Sequence, residues 1–199
     1  MERDIRMKTV DLIRRYFSEN FWIIPIQKNS KVPIRKNWTE EQLGFEQTLH
    51  YLRNGYNIGV VGGKQSRSPI GEDLIMLDFD GRLGTGMIKD NIEQYRKLNT
   101  WIQFTPKGFH VLLRSNTNIK EIQLKIIEYM IKHDLKDPHR TTLEPKHEDN
   151  TFNTTKEEHD KYFLDTIRWT SMYILVCPSK VDNKNYWWLD DLKGEILSI

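Results

Sequence analysis

The sequence predicts an α+β fold. Segments with helical apolar periodicity stand beside short apolar runs of strand length. Glycines, prolines and asparagines punctuate those runs. One pair of runs, 101–105 and 109–114, is joined by only three residues, which turns the chain back antiparallel.

Residues 3–19 form the first expected helix, with Ile5, Val10, Leu12, Ile13, Tyr16 and Phe17 roughly on one face. Phe21–Ile26 reads as a strand, and Pro25 places it at an edge or a bulge. The loop 27–38 holds Lys28, Lys31, Arg35 and Lys36 and closes on Trp38. Such a loop is either a solvated turn or a phosphate-binding patch beside an aromatic. Thr39 and Gln42 have capping-box spacing, which predicts a helix over 40–54 that ends at Asn54-Gly55. Asn57–Gly63 reads as a strand running into a glycine turn, where backbone amides beside Lys64 would suit an anion. Residues 64–73 read as a hairpin loop.

Residues 74–81, Leu-Ile-Met-Leu-Asp-Phe-Asp-Gly, are the centre of the reading. An apolar run bounded by glycine predicts a buried strand. Side chains alternate along a strand, so Asp78 and Asp80 share a face. Two carboxylates held together repel unless a cation lies between them, and a hard divalent ion with oxygen ligands is the usual solution. The plain alternative is a strand end whose aspartates face water.

Helices are expected at 87–98 and 118–133, on either side of the hairpin. His110 opens the hairpin's return strand after the Pro106-Lys107-Gly108 turn. Residues 134–160 are polar and aperiodic, with His139, His147 and His159 at irregular spacings, and read as a mobile insertion rather than a zinc site. Strands follow at 162–168, 172–176 and 185–189. Asp165 is a third carboxylate within an apolar segment, either a further cation ligand or a surface residue.

Composition sets the outer limits. A 199-residue chain makes one large domain or two small ones sharing a core. Its formal charge of +2 demands no polyanionic partner, so any basic surface must be local. Cys177 is the only cysteine, which excludes an internal disulfide and a cysteine-rich zinc site and fits a reducing cytoplasm. No apolar run approaches membrane-spanning length and the first residues lack a signal-peptide pattern, so no membrane partner is expected.

Taken in order, these stretches resemble the bifunctional primase–polymerase (prim-pol) domains of the archaeo-eukaryotic primase superfamily, carried by plasmids and viruses. Phe21–Pro25 with Lys31, Pro33 and Trp38 resembles the family's opening strand and basic loop. Asn57–Gly63, the paired acids of Leu77–Gly81 and the Gly-x-His turn of Thr105–His110 follow in family order. Asp165 to Ser179 resembles the third acid with its arginine, strand and Pro-Ser. Three positions depart from the pattern. Lys107 replaces a glycine, two residues rather than one separate Asp165 from Arg168, and Cys177 stands where a second proline is usual.

The resemblance implies one catalytic domain over 1–199, with a sheet like that of an RNA-recognition motif packed on an N-terminal α/β unit. It implies a DNA primase and DNA-directed polymerase working on single-stranded template with nucleoside triphosphates. Asp78, Asp80 and Asp165 would bind magnesium or manganese, and His110 would contact nucleotide phosphates. Lys107 and Arg168 are further phosphate candidates, while Lys28, Lys31, Arg35 and Lys36 would hold nucleic acid. No helicase motif is present, so a separate helicase would supply unwinding. A competing reading takes Asp-Phe-Asp-Gly as the first motif of a haloacid-dehalogenase-type phosphatase, with Asp78 as nucleophile and Asp80 as acid–base. A third is a nucleic-acid-binding module that kept the fold without the chemistry.

Overall fold

The computed structural model describes residues 2–80, 99–117, 121, 164–168, 172–189, 192 and 195–199; over 2–8, 79–80 and 164–168 it describes the backbone. The expected helices at 87–98 and 118–133 and the expected insertion at 134–160 lie outside the described residues, except for the single position 121.

Helix α1 (Glu2–Ser18) leads into strand β1 (Trp22–Ile26), followed by α2 (Phe45–Arg53) and β2 (Asn57–Val61). β1, β2 and β7 (Tyr173–Leu175) form a small antiparallel sheet with β2 in the middle. The N-terminal unit therefore borrows a strand from far down the chain. β1 lies at the edge, as Pro25 requires, because proline has no N–H to give a further strand. Pro33 bridges to Ile26, and the Ile34 amide donates to the Pro25 carbonyl at 3.0 Å, so the basic loop folds back along that border.

The larger sheet has β3 (Asp73–Asp80) between β5 (Gly108–Ser115) and β6 (Leu164–Arg168), with β4 (Ile102–Phe104) beside β5. β8 (Lys180–Val181) and β9 (Lys184–Asn185) make a small ribbon. β10 (Trp187–Trp188) closes the β4 edge, and β11 (Leu197–Ser198) runs parallel to the end of β5. The single aromatic strand expected at 185–189 is thus divided at Tyr186, whose amide donates to Ser179 O at 2.9 Å.

Two other expectations change. Helix α2 begins at Phe45 rather than 40 because the Leu43 amide is drawn to Ile23 O at 2.8 Å, which keeps that stretch extended. The cap is Gly44, whose N–H donates to Gln47 Oε1 at 2.9 Å, while Gln42 donates its side-chain amide to Phe21 O instead. Residues 64–73 do not close a hairpin, since β2 and β3 belong to different sheets. A 3₁₀ turn at Lys64–Ser66 carries the chain across, with one bridge from Gly63 to Leu74.

The core follows strand alternation. Ile23, Ile58, Val60 and Ile174 of the small sheet meet Leu74, Met76, Trp101 and Leu112 of the large sheet, with Ile13 and Tyr16 from α1 and Leu49 from α2. Each such buried side chain contributes roughly 1.5–3 kcal/mol of transfer free energy. The other face of the small sheet buries Ile24, Ile26, Val61 and Leu175 with Tyr186.

Candidate active site

The core face of the large sheet turns polar at one end. Residues directly opposite in an antiparallel pair share a face. Across β3 and β5, Met76 lies opposite Leu112; one step of alternation further, Asp78 lies opposite His110. On β4, Gln103 lies opposite His110. Asp78 is 4% exposed, His110 6% and Gln103 0%, so a polar row continues where the apolar rows stop. A buried carboxylate is costly without partners. His110 Nε2 is 3.3 Å from Asp78 Oδ1, and His110 Nδ1 is 3.1 Å from Gln103 Nε2. Gln103 reaches the small sheet, donating to Leu175 O at 2.7 Å and accepting from the Cys177 amide at 2.7 Å. The row therefore sits on the seam between the sheets.

Asp80 lies opposite Gly108, and the unbroken β3–β5 register keeps positions 78 and 80 on one face. Thr166 lies opposite Asp78, but the next pair is Leu164 with Phe79, so Asp165 is the extra residue at a register shift. Such bulges re-aim the chain beside functional sites. Arg168 lies two pairs further away, opposite Met76. The strand register puts positions 78, 80 and 165 at the same end of the sheet. Among the described residues, no three His, Cys, Asp or Glu side chains converge into a metal cluster.

These stretches lie within the span that a known family's sequence profile matches. The sequence profile of the bifunctional DNA primase/polymerase N-terminal domain matches residues 13–197, nearly the whole chain. The chain belongs to this prim-pol family. Among curated proteins, none matches it. At family level the domain is a nucleotidyltransferase-type enzyme with a DNA primase/polymerase role, acting on DNA and nucleotides. Topology agrees, because β3 is antiparallel to both neighbours, whereas the phosphatase reading needs its acidic strand in a doubly wound parallel sheet.

In this prim-pol domain the other expected site residues are more scattered. Lys107 is exposed at the turn after β4, where Thr105 Oγ1 accepts the amides of Lys107 and Gly108 at 3.2 and 2.9 Å. Lys31 and Lys36 are exposed on the basic loop. Lys28 Nζ stands 4.7 Å over the Tyr56 ring, a cation–π contact. Arg35 pairs with Glu41, so part of its charge is already answered. A hydrogen bond to Tyr51, followed by Glu41, raises the Arg35 pKa further, while Asn37 and then Arg35 hold the Glu41 carboxyl below the usual range. Arg35, Glu46, Gln47, His50, Tyr51 and Tyr56 line an open cavity of about 490 Å³. The glycine turn is not an anion cradle, since Gly62 and Gly63 donate their amides to Met172 O and Leu74 O at 2.8 and 2.7 Å.

Sequence reasoning missed Gln103. A signal was present: one amide between Ile102 and Phe104 in a strand of core residues, on the arm of the hairpin that faces His110. A polar side chain there must be hydrogen-bonded if the strand is buried.

Proposed function

We propose that this domain makes or extends primers on single-stranded DNA by two-metal nucleotidyl transfer. The observation that supports it best is the buried Asp78–His110 pair, at the end of β3 that also carries position 80 and lies beside the shifted residue 165. Carboxylate oxygens are the donors that magnesium or manganese takes, and Asp78 is a nearly buried carboxylate. Asp78, Asp80 and Asp165 would hold the ions. When bound, the ions would supply charge neutralisation at the reacting phosphate and leaving pyrophosphate. The primer 3′-oxygen would form a bond to the α-phosphorus as the bond to pyrophosphate breaks, and its hydroxyl proton would pass to bulk water.

His110 Nε2 lies 3.3 Å from Asp78 Oδ1 and would hold the nucleotide's phosphates. Lys107 on its turn and Arg168 on β6 would add positive charge. Lys28, Lys31, Arg35 and Lys36 would track the template backbone, with Tyr51 and Tyr56 offering ring faces beside them. Unwinding would fall to a separate helicase. Among the described residues, no helix is long and apolar enough to cross a membrane.

The test is incubation with single-stranded template, labelled nucleotides and magnesium or manganese. Template-dependent products are expected. Phosphate release without polymer, or binding without turnover, would overturn the proposal.

A further inference from the structure

We infer that Gln103 is a positioning residue that decides which nitrogen of His110 carries the proton. Main-chain donors and acceptors cannot exchange roles. The Cys177 N–H points at Gln103 Oε1 from 2.7 Å, and the Leu175 carbonyl receives Gln103 Nε2 at 2.7 Å. Turning the amide over would set N–H against N–H and oxygen against oxygen. The orientation of Gln103 is therefore forced by two backbone groups of the small sheet.

Its nitrogen then faces His110 Nδ1 at 3.1 Å as a donor. Nδ1 must accept and so carries no hydrogen. In the neutral ring the proton then sits on Nε2, which is 3.3 Å from Asp78 Oδ1 and donates to it. Gln103 is wholly buried and His110 nearly so, which leaves little room for water to substitute for the amide. The ring lies against Tyr186, with centroids 6.2 Å apart, which limits the planes it can take.

Gln103 thus turns His110 into a one-directional donor aimed at the acidic end of β3. The donor is set only when the two sheets are docked, because the atoms that orient Gln103 belong to β7 and the residues just after it. That much is independent of substrate. Its consequence for nucleotide binding rests on the proposed function, in which the same Nε2–H meets a phosphate oxygen.

The test has an arm for each. Imidazole ¹⁵N spectra of the folded, ligand-free protein are recorded at about pH 8.5, above the ordinary imidazole range. The expected wild-type signature for His110 is a protonated Nε2 and a bare Nδ1. Gln103→Met keeps the volume and removes the donor, and should give a mixture of tautomers. Gln103→Glu presents an acceptor to Nδ1, although it sets an oxygen against Leu175 O, and should place a hydrogen on Nδ1. In the nucleotide arm, Gln103→Met should raise KM or Kd for nucleotide by roughly tenfold while template affinity stays unchanged. A bare Nε2 in the wild type, or an unchanged His110 signature in a folded Gln103→Met protein, overturns the inference. If neither variant folds, the wild-type spectrum alone decides. Failure of template-dependent synthesis would count against the proposed function and would leave the tautomer result standing.

Discussion

Asp78 touches His110 and stands at the end of an apolar strand, so its chemistry and its structural burden separate cleanly. Asp78→Asn keeps an oxygen that accepts from His110 Nε2–H and should leave the melting temperature nearly unchanged. Nucleotide incorporation should fall by at least about a hundredfold, because metal-held charge supplies several kcal/mol to such a transition state. Primer extension and a thermal melt measure the two effects side by side. His110→Ala should weaken nucleotide affinity by roughly ten- to a hundredfold, the equivalent of about 1.5–3 kcal/mol for a charge-assisted hydrogen bond. Template affinity, measured separately, should hold. Cys177 offers a third test. Burial pushes its thiol up to about 11, although a backbone hydrogen bond from Trp188 pulls the other way. A raised value keeps the thiol protonated at neutral pH. Alkylation at pH 8 should therefore run more than about tenfold slower than in urea and accelerate as the pH approaches that value.

At the scale of elements, much of the architecture was legible. Alternating or continuous apolar residues marked β1, β2, β3 and the β4–β5 hairpin, because a strand's side-chain period is imposed by the backbone. The start of α2 was not. Thr39 and Gln42 have the spacing of a cap, but the pull of Ile23 O on the Leu43 amide is a tertiary effect that local spacing cannot announce. The register shift at Asp165 was hidden for a related reason. A bulge is defined by a partner strand, and here the partner is β3, far back in the chain. Gly59 lies in the central strand of the small sheet, where an added Cβ would meet Ile174 O and the Tyr173 ring at 3.2 Å and Ile24 Cγ1 at 3.3 Å. With strands on both sides, the neighbours have little freedom to withdraw. Gly59→Ala should cost about 1–3 kcal/mol, read as a lowered urea midpoint with an unchanged slope.

In the whole molecule the two sheets are fastened at several points, and α1 takes part. The Tyr16 hydroxyl donates to Cys177 O at 2.7 Å and accepts from Trp188 Nε1 at 2.7 Å. Burial, then the proximity of Cys177, raises the Tyr16 pKa well above its ordinary value, with the Trp188 hydrogen bond opposing, so the phenol stays a neutral donor. Tyr16→Phe leaves a buried carbonyl and an indole N–H without this partner. It should lower stability by about 1–3 kcal/mol, measured by denaturant unfolding. The seam was the least legible part of the site. Asp78 and His110 carry recognisable chemistry in their own sequence neighbourhoods, whereas Gln103 acquires its meaning from Leu175 and Cys177, more than seventy residues away. The border of β1 has a different consequence. Pro25 offers no amide, Ile34 is already bonded to the Pro25 carbonyl, and Gln27 donates to Val32 O at 2.9 Å. A strand from a second molecule finds there no ladder to extend. Pro25 and the folded-back loop guard this border of the small sheet against edge-to-edge aggregation, a hazard that an open strand edge otherwise carries into a crowded solution.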